Sequence, residues 1–115
     1  MTVNVLVDKH GSIYWYCHGY LHKTDGPAVE HPDGTKFWYH YGVRHRNDGP
    51  AIEWTSGSTE WYHYGKTHRI DGPAMESPGE APQWWLNEKI YSFEEWANLA
   101  GITLEERVKL QLEYG

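Results

Sequence analysis

The chain has a single cysteine, Cys17, so no disulfide can form within it. It holds only two Phe and two Met, and no stretch approaches the ~20 apolar residues that a membrane helix needs. The opening Met-Thr-Val-Asn-Val-Leu-Val-Asp lacks a basic segment, and its apolar run is too short for a signal peptide. A cytoplasmic location without membrane contact is therefore expected. The net charge of −6 is mild and its signs are mixed, without the basic patch of a protein that grips a nucleic-acid backbone. Stable nucleic-acid binding is not expected. Also missing are a Gly-rich phosphate loop, a G-x-S-x-G elbow and the C-x-x-C and H-E-x-x-H metal motifs, so no cofactor or resident metal is expected.

What is abundant is Trp and Tyr, seven and nine in 115 residues. Both combine apolar area with a polar tip, which suits sheets with wet faces and binding surfaces. The length is that of one domain. Asp-Gly-Pro-Ala occurs three times, beginning at Asp25, Asp48 and Asp71. A constant period in this range means stacked copies of one small supersecondary unit. Each copy shares a frame: an aromatic pair, then Gly, His, Asp-Gly-Pro-Ala and Glu.

Residues 2–7 alternate, with Val3, Val5 and Val7 on one face, and read as a strand that starts or caps the sheet. Asp8–Gly11, His31–Gly34 and Trp54–Gly57 read as equivalent turns. Aromatic strands follow at Ser12–Cys17, Thr35–His40 and Ser58–His63, with Ala81–Leu86 as a degraded fourth. Alternation predicts Trp38 and His40 on one face, with Phe37, Tyr39 and Tyr41 on the other. After a turn at Gly19, Gly42 or Gly65, the return segment reaches Asp-Gly-Pro. Short strands Ala28–Glu30, Ala51–Trp54 and Ala74–Glu76 then complete each antiparallel hairpin.

From Ser92 the period becomes helical. Ser92 with Glu95, and Thr103 with Glu106, form capping boxes, and Gly101 separates two helices. One helix carries Phe93, Trp96, Ala97 and Ala100. The other runs to about Leu112 with a face of Leu104, Val108 and Leu112 and with Leu110 near its edge. These helices are expected to cover the apolar end of the sheet. The expected fold is mainly β: an antiparallel sheet or short solenoid of three to four 23-residue β-hairpin repeats, capped by two short C-terminal helices. As one domain, 1–115 divides into an N-terminal strand and turn (1–11), repeats (12–91) and helical cap (92–115).

The frame W-Y-x-x-G-x-x-H-x-x-D-G-P-A-x-E, clearest at Trp38–Ala51 and again at Trp61–Ala74, resembles the MORN repeat, a 23-residue hairpin unit. More closely it resembles uncharacterised H-R-x-D-G-P-A repeat proteins of bacteriophage and other viral genomes. Several of those end in W-W-x-N…S-x-E-E-W, as this chain does from Trp84 to Trp96. The likeness spans roughly Asp8 to Trp96. It implies a non-catalytic binding scaffold in a viral setting. MORN repeats usually place Gly after the His, where this chain has Lys23, Arg46 and Arg69, so membrane association does not carry over.

The groups His45-Arg46-x-Asp48 and His68-Arg69-x-Asp71, with His22-Lys23-x-Asp25, have the residue types of a base and its orienting acid. Triplication points instead to a structural part, because catalysis needs one assembled constellation. The expected structural role is bonding of His and Asp to backbone around each Gly-Pro bend. Equivalent His in stacked hairpins should lie two strand spacings apart, roughly 9–10 Å, which rules out one zinc ion per His column. Positions where the copies differ are the better place to seek a partner. Two readings follow. One is a protein that binds and blocks or sequesters a host macromolecule through Tyr41, Arg44, Trp54, Tyr64 and Arg69, residues of interface-anchoring types. The other is a sponge for a small nucleotide-like signal, with Trp38 and Trp61 stacking on the base and His45, Arg46, His68 and Arg69 meeting phosphates. An exposed aromatic sheet is also compatible with self-association into a homo-oligomer.

Overall fold

The computed structural model describes residues 3–115. Thr2, the expected first residue of the N-terminal strand, lies outside the described residues. The remainder forms β1 (Val3–Val7), antiparallel to β2 (Ile13–Cys17). The chain continues through β3 (Tyr20–Leu21), β4 (Val29–Glu30), β5 (Lys36–Phe37), β6 (Tyr39–His40), β7 (Val43–Arg44) and β8 (Ile52–Glu53). Then come β9 (Thr59–Glu60), β10 (Tyr62–His63), β11 (Lys66–Thr67), β12 (Met75–Glu76), β13 (Trp84–Leu86) and β14 (Lys89–Tyr91). Helices α1 (Phe93–Ala100) and α2 (Leu104–Tyr114) end the chain. The fold is mainly β with antiparallel pairing throughout, in a body measuring 47 × 29 × 20 Å.

The main sheet is a meander in the order β1-β2-β4-β5-β8-β9-β12, with β3 attached to β2. The expected strands 35–40 and 58–63 are interrupted. At Trp38 the chain turns out of the main sheet, and β6 pairs with β7 in a separate small hairpin. Trp61 and the hairpin β10–β11 repeat this, and β13–β14 is a fourth hairpin. The Trp backbone spans both layers. The Trp38 N–H donates to the Ala51 carbonyl at 2.7 Å, and its carbonyl accepts from the His45 N–H at 3.2 Å. Trp15 and Trp61 make the same two bonds with Ala28 and His22 and with Ala74 and His68. The return strands β7 and β11 were not expected from the sequence.

The central core is thin. Ala28, Ala51 and Ala74 are fully buried, beside Val29, Ile52 and Cys17. The N–H and carbonyl of each Ala are both hydrogen-bonded to neighbouring backbone, which holds it between adjacent segments. The Asp-Gly and Ser-Gly turns form as expected, closed by Gly34 N–H to the His31 carbonyl and Gly57 N–H to the Trp54 carbonyl, both 3.0 Å.

The end cap supplies the larger core. Trp96 is 0 % exposed, and its ring centroid lies 4.6 Å from that of Trp84. Phe93, Ala97 and Leu110 surround the pair. The indole N–H of Trp96 donates to the Arg69 carbonyl at 2.9 Å, bonding the cap to the third Asp-Gly-Pro segment. The Thr103–Glu106 box is reciprocal, the Ser92 hydroxyl accepts from the Glu95 N–H, and Gly101 adopts a left-handed φ of 71°. The expected inner face of α2 is corrected. Leu104, Val108 and Leu112 are exposed, Leu112 at 83 %, and the packed stripe is Arg107, Leu110 and Tyr114. Arg107 sets this rotation by bonding Asn98 at 2.7 Å and Glu94 at 3.4 Å on α1.

Replacing Trp96 by Ala removes that contact and opens a cavity, so urea unfolding is expected to show a loss of about 3–5 kcal/mol. Trp96→Phe keeps most of the packing but leaves the Arg69 carbonyl without its donor, and the expected loss is about 1–3 kcal/mol.

Candidate functional site

The Arg of each H-R-x-D-G-P-A group folds back over its own repeat. The Arg46 guanidinium carbon stands 3.8 Å from the centroid of the Trp38 ring, and Arg69 stands 3.9 Å from that of Trp61. Arg69 donates to Asp71 at 2.8 Å, to the Pro73 carbonyl at 3.0 Å and to Glu76 at 3.4 Å. Arg46 repeats this with Asp48, the Pro50 carbonyl and Glu53. Only 14 % of the Arg69 side chain is exposed, against 72 % for Asp71. The ring face, Pro73 carbonyl and Glu76 therefore carry more weight than the solvated Asp71 pair. A Cβ added at Gly72 would lie 2.6 Å from the Arg69 guanidinium carbon, and one at Gly49 would lie 2.7 Å from that of Arg46. The Gly of Asp-Gly-Pro-Ala thus makes room for the guanidinium.

His22, His45 and His68 work between repeats. Their Nδ1 atoms accept the backbone N–H of Tyr41, Tyr64 and Asn87 at 3.1, 3.0 and 3.0 Å. The expected bonding of His and Asp to backbone around the Gly-Pro bend is corrected on both counts: His reaches the next repeat, and Asp48 and Asp71 meet Arg. Tyr41, Tyr64 and Asn87 are the first residues of two-residue turns with positive φ at both positions, 45° at Tyr41 and 83° at Gly42. Such turns match the strand twist but favour Asn or Gly, and a Tyr there is strained by roughly 1–2 kcal/mol. The strain is offset by stacking. The Tyr41 ring lies 4.0 Å from His22 at 18°, and Tyr64 lies 3.9 Å from His45 at 17°. Left-handed φ at Tyr41 breaks the predicted alternation, so its ring joins the His side and leaves Phe37 and Tyr39. The two His columns interleave as His22, His40, His45, His63 and His68, with neighbouring rings 5.0, 6.0, 5.1 and 5.8 Å apart.

Since Nδ1 of His22, His45 and His68 accepts, the neutral ring carries its proton on Nε2. All three titrate below the ordinary 6.5, first because burial disfavours the charged ring and then because His40 or His63 lies alongside. Among the described residues no group of three or more His, Cys, Asp or Glu is placed to hold a metal ion.

Above these joints the turn tips form an outer row. Tyr41 is 42 % exposed and Tyr64 57 %, with Tyr20 and Val43 exposed between successive tips. The row is close-packed. A Cβ on Gly42 would sit 3.1 Å from the Tyr20 ring, and one on Gly65 would sit 3.0 Å from Val43. Arg44 is exposed on the opposite face of its hairpin from Val43, paired with Tyr39 and with its guanidinium 5.4 Å from the Tyr62 ring centroid. Trp54 is exposed elsewhere. It sits in the turn after β8, edge-on to Phe37 and donating to Glu60 at 2.6 Å. Glu60 also accepts from the Tyr62 hydroxyl at 2.8 Å, so Trp54 belongs to the Phe37 and Tyr62 side, which the Tyr41 and Tyr64 rings have left for the histidines. Of the five expected contact residues, Tyr41 and Tyr64 share the row, Arg44 and Trp54 lie on the other side, linked through Tyr62 and Glu60, and Arg69 faces inward. Tyr20 and Val43, at a position where the copies differ, join the row although neither is among those five.

The residues expected to meet a small ligand are partly gathered. A cleft of about 810 Å³ between the first two Asp-Gly-Pro segments is lined by Lys23, Asp25, Trp38, His40, His45 and Arg46 among others. His68, Arg69 and Trp61 belong to the next repeat and do not line it. Comparison with protein-family models, curated proteins and solved structures finds no match to this chain.

The Arg69–Gly72 fit makes a coupled prediction. Arg69→Ala is expected to lower unfolding free energy by about 2–3 kcal/mol, the scale of a cation–π contact plus charged hydrogen bonds. Gly72→Ala alone should lower it by about 1–3 kcal/mol through overpacking. In the Arg69→Ala background, Gly72→Ala should change it by less than about 0.5 kcal/mol, measured in a double-mutant cycle.

Proposed function

We propose that this chain is a non-catalytic, repeat-built binding protein that blocks or sequesters a host protein through its row of turn tips. The observation that carries this reading is the continuous exposed row Tyr20, Tyr41, Val43 and Tyr64. Aromatic side chains on a rigid support are usual anchors of an interface. The row is on the outside because everything beneath it is committed to holding repeats together. A non-catalytic role is supported by the same commitment: the His Nδ1 atoms and the Arg and Asp groups that would make a base and its partners are bonded internally. The resemblance to viral H-R-x-D-G-P-A proteins supports a host target in the cytoplasm of an infected cell.

A second reading, a sponge for a nucleotide-like molecule, is favoured by one observation. The 810 Å³ cleft sets Trp38 and Tyr41 beside His22, His40, His45 and Lys23. Arg46 lines it too, but the guanidinium already lies on Trp38 and bonds Glu53, so a phosphate would have to displace Glu53.

The fourth tip supplies the test variant, because Asn87 already occupies the turn position without a ring. Tyr41→Asn with Tyr64→Asn should leave the melting temperature little changed, as relief of left-handed strain offsets the lost stacking. Captured from host lysate, a true partner should bind this double variant more weakly by about 2 kcal/mol or more. A partner held equally by both proteins would sink the tip-row reading. Thermal stabilisation by cyclic or linear nucleotides, absent in an Arg46→Ala variant, would replace it with the sponge.

A further inference from the structure

We propose that the interleaved histidines form an acid-operated switch that breaks one of the two hydrogen bonds fastening each turn tip to the repeat before it. Each joint has two ties: a backbone N–H held by one imidazole Nδ1, at 3.0–3.1 Å, and the next residue's N–H held by a backbone carbonyl, at 2.8–2.9 Å. Only the first involves a titrating group. A protonated imidazole has N–H on both nitrogens and cannot accept. Protonating His22, His45 or His68 therefore turns the acceptor into a donor facing another donor. The imidazole tie does not weaken gradually with charge; it is lost with the proton's arrival.

The neighbours reinforce this. His40 lies 5.0 Å from His22, and His63 lies 5.1 Å from His45 and 5.8 Å from His68, so charge on the ladder is adjacent to further titrating rings. No carboxylate pairs with a ladder histidine among the described residues. Lys23, Asp25, Arg46 and Asp48 line the same cleft as His22, His40 and His45, and in the next repeat Arg69 lies on Trp61 with Asp71 bonded to it. Asp48 and Asp71 are turned onto the Arg of their own repeat. Glu88 follows Asn87 in the tip above His68. The tip residues also sit in strained left-handed backbone that the tie and the stacking hold in place, at φ 45° for Tyr41 and 46° for Tyr64.

The sign of the pH effect follows from the lowered folded values. The unfolded chain protonates these rings near the ordinary 6.5, before the folded chain does. Their contribution to stability is therefore complete above about pH 6.5 and is lost as pH falls below it, through the lowered folded range. The main sheet has no such dependence in its own ladder. The Ala28, Ala51 and Ala74 amides bond to backbone carbonyls at 2.8–2.9 Å. Loosening is thus local to the tips. For the partner surface proposed above, the consequence is a looser row and weaker binding in acid. That consequence rests on the tip-row reading, whereas the switch itself is measured on the protein alone.

The experiment is residue-resolved amide exchange on the uniformly labelled protein between pH 8 and pH 5, expressed as protection factors. The Tyr41, Tyr64 and Asn87 amides should lose about tenfold or more in protection, the scale of one lost hydrogen bond, while Ala28, Ala51 and Ala74 hold theirs. The imidazole nitrogen shifts of His22, His45 and His68, read in the same samples, should report protonation over the same pH range. Substituting Asn at all three positions offers a carbonyl acceptor near the place of Nδ1 that does not titrate, and should make tip protection independent of pH. If that triple variant does not fold, His45→Asn alone should flatten the response at Tyr64 and leave it at Asn87. Tip amides that keep their protection while the imidazoles protonate would overturn the switch. So would simultaneous loss across tips and main sheet, or a titration surviving in the Asn variants.

Discussion

One hydrogen bond recurs at every joint of this molecule: a backbone N–H in a left-handed turn donating to the Nδ1 of a histidine in the preceding repeat. Each side hairpin has only two or three residues per strand, too short to stand alone in water. It persists because its tip is fastened to the hairpin before it, by this bond and by a second from the next turn residue. That second bond joins the Gly42 N–H to the Leu21 carbonyl, the Gly65 N–H to the Arg44 carbonyl and the Glu88 N–H to the Thr67 carbonyl. The imidazole does two things at once, accepting through its edge and stacking through its face, and the stacked ring belongs to the residue whose amide it holds. The exposed tyrosines are therefore placed by the same group that keeps the repeats in register.

Asp-Gly-Pro-Ala is the other half of the construction. Ala is buried between main-sheet strands, Pro presents its carbonyl to Arg, Gly leaves space for the guanidinium, and Asp receives it at the surface. The first repeat is looser. Lys23 stands where Arg46 and Arg69 do, 4.3 Å from the Trp15 ring, and a Cβ on Gly26 would sit at 3.4 Å, an ordinary contact. The cleft opens next to this looser joint. A triplicated acid, base and cation thus function as mechanical parts, and the outward-facing residues at variable positions are left to meet a partner.

Much of the architecture was legible in the residues. The period, the Gly-based turns, the buried Ala strands and both helix starts rest on local signals that act within a few residues. The interruption at Trp38 was not, because an aromatic run looks the same whether its second half stays in the sheet or leaves it. Return strands of two residues, Val43–Arg44 and Lys66–Thr67, are too short to show a period. The left-handed Tyr41 and Tyr64 ran against propensity, since Tyr rarely takes that backbone and only the stacking on His makes it tenable. Of the candidate site, Tyr41 and Tyr64 were found through their type. Variability marks Tyr20 and Val43, but that they join the tips depends on how one hairpin overlaps the next. Arg69 was read as outward because nothing local says that Trp61 and Pro73 will hold it.

By itself the sequence determined that this protein is a stack of small antiparallel units ended by two capped helices. Recurrence, turn chemistry and capping are short-range, and each repeat states them again. Only the tertiary structure decided that the two histidine columns interleave, that α2 turns Leu110 inward and leaves Leu104, Val108 and Leu112 in solvent, and that the arginines lie on tryptophan faces. Each of these depends on the distance and rotation between separate elements. Those are set by contacts such as Arg107 with Asn98 and His45 with the Tyr64 amide, which join residues that no local pattern pairs.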